Sequence, residues 1–143
     1  MSFGTFYKVE DHVSTLLEGK VTKSDWYEVL DLIDIQNHES LDAEESIPAW
    51  ILALRNEDSA VHLLFQGEMK AQVDEFDHPD VVFLSNKMIT KVVYEFEIKT
   101  KSYYQELLDH IGCTADFWLF EPMHAFLKEA ALNQKAIIIL WDN

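Results

Sequence analysis

Four carboxylates and an imidazole crowd into seven residues at Asp74, Glu75, Asp77, His78 and Asp80, and three more carboxylates, Asp42, Glu44 and Glu45, stand just ahead of a proline and a tryptophan in LDAEESIPAW. Clustered carboxylates are the donors that hard cations take. The 74–80 spacing departs from a calcium loop, however, with no Asp-x-Asp-x-Asp-Gly and no glutamate at the twelfth position. The expectation here is a solvated acidic loop turned by Pro79, with no metal and no cofactor. The alternative is a small enzyme or metal-binding protein built on these carboxylates.

The other reactive side chains are scattered. Six histidines, at 12, 38, 62, 78, 110 and 124, show neither His-Glu-x-x-His nor any Cys-x-x-Cys partner. His62 lies in the apolar AVHLLF and reads as a satisfied core histidine. Cys113 is the single cysteine, so no disulfide can close within the chain. Pairing it with His124 would make a nucleophile and base, but nothing suggests a third, orienting residue, and packing is the expected role. There is no Gly-x-Ser-x-Gly and no glycine-rich phosphate loop. The expectation is a protein that is not an enzyme. The aromatic run CTADFWLFEPMHAF, with Phe117, Trp118, Leu119, Phe120 and Phe126, is read as closing the core, the alternative being an exposed anchor for a partner.

The charge map is the more informative feature. Net charge is −15, and residues 25–80 hold fifteen of the 26 acids against only Arg55 and Lys70. Ordinary surfaces mix the two signs. Such a field repels phosphate, which argues against nucleic acid and against an anionic membrane surface. Two readings of the acid stay open: it serves solubility alone, or it meets a basic protein, whose capture a complementary field accelerates. The lone thiol and the absence of a signal-like start point to a cytoplasmic protein.

The elements that must position these groups can be outlined from periodicity. A length of 143 residues with 48% hydrophobic content fits one domain spanning 1–143. FYKVE and its flanks alternate with period two and predict a strand. A short helix over 12–18 follows, capped by Asp11 and closed by Gly19. Ser24 or Asp25 caps the next, with Trp26, Val29, Leu30 and Ile33 on its apolar face. Pro48 opens a helix to about Asn56. Residues 66–80 read as irregular, and VVFL as a strand. Ser85 caps a helix to about Glu97, and Thr100 or Ser102 starts another, closed by Gly112. Residues 122–133 form the last helix. AIIIL, apolar throughout, predicts a central strand buried on both faces.

This order of elements resembles the YfbM-like family of small bacterial proteins of unknown function. FYKVEDHVSTLLEG, SLDAEESIPAWILAL, VVFLSNKMITKVVYEF and FLKEAALNQKAIIILWDN carry the likeness. The resemblance implies a single α+β domain, with a small mixed sheet that includes the N- and C-terminal strands and is packed by several helices. Some relatives look like immunity partners of secreted bacterial toxins. Taken with the charge map, this makes the leading expectation an immunity protein that covers the active site of a basic toxin, such as a nuclease. Asp31, Asp34, Asp42, Glu44, Glu45, Asp74, Glu75, Asp77 and Asp80 would then bind the partner. A housekeeping interaction module is the further alternative.

Overall fold

The computed structural model describes residues 3–72 and 80–142. Five strands, β1 (Gly4–Glu10), β2 (Ser40–Glu44), β3 (Met69–Lys70), β4 (Asp80–Leu84) and β5 (Lys135–Trp141), form one sheet in the order β2-β1-β5-β4-β3. Every ladder between them is antiparallel, so the expected mixed sheet is in fact antiparallel. The helices are α1 (Val13–Leu17), α2 (Lys23–Leu32), α3 (Ile47–Leu54), α4 (Asn86–His110) and α5 (Phe120–Leu132).

β5 occupies the centre, as its unbroken apolar run requires. Ala136 and Ile138 face one cluster with Trp26, Val29 and Leu30 of α2. Ile137, Ile139 and Trp141 face the other, with Trp50 of α3, Phe96 of α4 and Leu127 of α5. The sheet is thus sandwiched between α1 and α2 on one face and α3, α4 and α5 on the other. Antiparallel sheets commonly leave one face wet; here both are covered.

Local chemistry sets most boundaries. Thr22, in extended conformation, accepts from Asp25 N at 3.2 Å and caps α2, in place of Ser24 or Asp25. Asp11 is not an N-cap; it accepts from Asn86 N at 2.9 Å, tying the end of β1 to the start of α4. Ser85 caps α4 by accepting from Met88 N. Thr100 breaks α4 with φ 67 and ψ 164, at the point where a second helix was expected. Short 3-10 helices stand at Ile35–Asn37, at Ala60–Leu63 within AVHLLF, and at Thr114–Leu119 just before α5. At Gly4 of β1 a Cβ would lie 2.1 Å from Ile47 Cδ1, so any side chain there would force the buried tip of Ile47 to move.

The largest difference from the sequence reading is β2. The acidic segment SLDAE is a strand at the edge of the sheet, with Ala43 buried and Leu41 half-buried while Ser40, Asp42 and Glu44 stay exposed.

Candidate functional site

β2 delivers its acids to a cleft of about 480 Å³ lined by Phe3, Asp42, Glu44, Glu45, Ser46, Ala115, Asp116 and Trp118. Each wall has a local reason. Glu44 leaves the extended region with φ 51, and its N–H bonds Asp42 Oδ1 at 2.8 Å, which ends the strand and turns the chain. Ser46 N then donates to Ala43 O, and α3 starts at Ile47 with Pro48 in its first turn, where a missing N–H costs nothing. Glu44 and Glu45 so precede a helix N-terminus, where negative charge is favoured.

The opposite wall is the 3-10 helix at Thr114–Leu119, pinned by hydrogen bonds that join the two walls. Ser46 Oγ donates to Asp116 Oδ1 at 2.8 Å and accepts from Trp118 Nε1, also at 2.8 Å. The Trp50 indole donates to Asp116 O at 2.9 Å. Ser46 itself is only 3% exposed, whereas Trp118 is 42% and Phe3 51% exposed. The aromatic run therefore divides its roles: Leu119 and Phe120 close the core, Phe117 stacks on Phe120, and Trp118 stands at the cleft. Neither of the two readings of that run describes all of it.

The four cleft carboxylates are not neutralised from within. Among the described residues Asp42, Glu44, Glu45 and Asp116 make no ion pair, and no base lines the cleft. Elsewhere several lysines are engaged with acids. The nearly buried Lys8 bridges Glu39 at 2.9 Å and Glu129 at 3.2 Å, and Lys99, Lys101 and Lys128 hold Glu57, Glu121 and Glu97. An open carboxylate cleft between two aromatic rims suits a guanidinium or ammonium, which can pair with the acids while its stem or face lies on the indole.

The remaining sequence candidates do not join this group. Asp31 is exposed on α2, and Asp34 lies between α2 and β2, at the far end of the strand from Glu44. Neither lines the cleft, and Asp34 instead opens the 3-10 turn at Ile35–Asn37. Asp80 is held at 3.0 Å by Lys23, both side chains being largely buried, so it works as an internal ion pair rather than as a surface contact. Asp74, Glu75 and Asp77, with His78 and Pro79, lie outside the described residues. No group of metal-ligating side chains occurs among the described residues. His124 Nε2 lies 3.7 Å from Glu97 Oε2, while Cys113 Sγ donates to Ile111 O, so the two have different partners. His62 Nδ1 is buried with no hydrogen-bond partner among the described residues, against the expectation of a satisfied core histidine. Sequence reasoning missed Phe3, Ser46 and Asp116; Ser46 lies 70 and 72 residues from its partners Asp116 and Trp118, and no local motif marks any of the three.

No protein-family model matches the chain, and no curated protein matches it. Among solved structures, the protein of unknown function YfbM from Escherichia coli aligns over 97% of this chain and 99% of its own, with a TM-score of 0.64 and 10% sequence identity. The fold is YfbM-like. At that identity the likeness covers the fold and says nothing of the cleft, whose residues have to be read on their own chemistry. No helix among the described residues is long and apolar enough to cross a membrane.

Proposed function

We propose that the protein is a binding protein whose acidic cleft receives a basic segment of a protein partner, and that this partner is a bacterial toxin domain which it neutralises. The observation that carries the reading is a set of carboxylates with no ion pair among the described residues, Asp42, Glu44, Glu45 and Asp116, held between exposed Trp118 and Phe3 on walls locked by Ser46. A preorganised wall reduces the ordering cost of association. Exposed tryptophan beside charge is the composition of interface hot spots. A nuclease presents cations where it holds phosphates, and carboxylates are the side chains able to occupy such a site.

The test is capture by the native protein and by Glu44→Lys with Glu45→Lys, followed by measurement of the captured partner's association at rising salt. The reading expects a basic protein retained by the native chain and lost by the variant. Its association rate falls with ionic strength, since the Debye length is already about 8 Å at 0.15 M. Co-expression should then suppress the partner's toxicity. A partner indifferent to both salt and the reversal overturns the reading.

A further inference from the structure

We propose that the basic segment docks as an added strand on the open edge of β2, extended, with Lys or Arg at alternate positions. This rests on the reading that the cleft takes a basic protein. Among the described residues β2 is the outermost strand and pairs only with β1. Lys8 N donates to Glu39 O at 2.9 Å, which fixes the alternation along the antiparallel pair. Glu39 and Leu41 turn their N–H and C=O groups to β1, and Ser40 and Asp42 turn theirs outward. Both outward residues are exposed. Two successive outward pairs are a template for strand addition.

Charge decides which strand is admitted. Natural edges carry charge to prevent self-pairing, and a second copy of β2 would set carboxylate against carboxylate. A basic strand reverses that sign, because residues directly opposite each other share a face and opposite charges there are favourable. The residue facing Asp42 lies beside the cleft that also holds Glu44, Glu45 and Trp118. The alternate position toward Glu44 enters the same field. Glu44, with φ 51, ends the ladder, so the added strand is short and basic–x–basic is its signature.

The test uses the full chain, isotope-labelled, with a capped extended peptide that alternates arginine and valine, and with the same peptide N-methylated on the two amides that would face Ser40 and Asp42. N-methylation removes the donors and keeps the charge. The inference expects amide exchange at Ser40 and Asp42 to slow by ~10-fold or more with the parent peptide and not with the methylated one. Equal binding of the two peptides without protection of these amides would overturn strand addition and leave the cleft's taste for basic partners intact. No protection of either amide at millimolar parent peptide also overturns it, while the salt and charge-reversal test on the intact partner decides the underlying reading separately.

Discussion

Ser46 is bonded on both sides, to Asp116 and to Trp118, across 70 and 72 residues of chain. Replacing it by alanine leaves the indole N–H and one carboxylate oxygen without their partner. Loss of such a partner costs about 1–3 kcal/mol when the groups stay dry and less when water reaches them. Because Trp118 is 42% exposed, Ser46→Ala is expected at the lower end of that range. Trp118 should also become more accessible to acrylamide, a neutral quencher the acids do not repel, while Trp26, Trp50 and Trp141 remain shielded. An unchanged melt and unchanged quenching would show that the hydroxyl does not set the wall. Tyr104 presents the opposite case, a buried hydroxyl with no partner among the described residues. Removing an unsatisfied group is neutral or favourable, so Tyr104→Phe should hold or raise the melting temperature. Burial, followed by the nearby Glu95 and Glu57, pushes the Tyr104 phenol far above its ordinary value. Burial, followed by Asp142 and Asp80, pushes Tyr27 up to about 12. Above pH 10 the unfolded chain therefore gives up these protons first and binds fewer than the folded one. Stability present below pH 10 is lost as pH rises toward 12. The alkaline limb of a denaturation series should show this fall, and it should be shallower in Tyr104→Phe.

Among the elements, β5 and β2 mark what the sequence could and could not declare. AIIIL announces a strand dry on both faces, and the structure buries Ile137, Ile138 and Ile139 completely. Each such side chain is worth about 1.5–3 kcal/mol against a total of about 5–15 for a domain. Deleting residues 136–143 should therefore abolish the cooperative thermal transition seen by circular dichroism. A truncated chain with a native-like melt would contradict the central place of β5. Caps were legible at Ser85, where a short polar side chain precedes a long apolar-faced helix, and less so at Thr22, since three candidate residues stand within four positions. β2 escaped notice because Ser, Asp, Ala and Glu are poor strand formers. Its strand character comes from pairing with β1, a tertiary effect. The one local signal was the alternation of Leu41 and Ala43 with exposed Asp42 and Glu44. Thr100 was visible as a helix boundary, though not as a break inside one 25-residue element.

For the whole molecule, a charge of −15 sets a field that any partner meets before it meets a residue. The sequence displayed the excess of acid and its concentration in residues 25–80, but not which acids are ion-paired, because the pairing of Lys8, Lys23, Lys99, Lys101 and Lys128 with particular acids is decided by the fold. Self-repulsion also predicts that moderate salt raises the melting temperature of the free protein, as screening weakens like-charge crowding; a fall with added salt would mean that its ion pairs dominate. The central claim concerns location rather than total charge, and two double reversals with the same change in net charge separate these. Glu44→Lys with Glu45→Lys changes the cleft, whereas Glu28→Lys with Asp31→Lys changes exposed α2. The measurement is the dissociation constant of the captured basic partner for each variant at one fixed salt concentration. The account predicts a loss of ~10-fold or more for the cleft reversal, about 1.4 kcal/mol, with the α2 reversal close to the native protein. Equal losses in both variants, or a larger loss from α2, would contradict it.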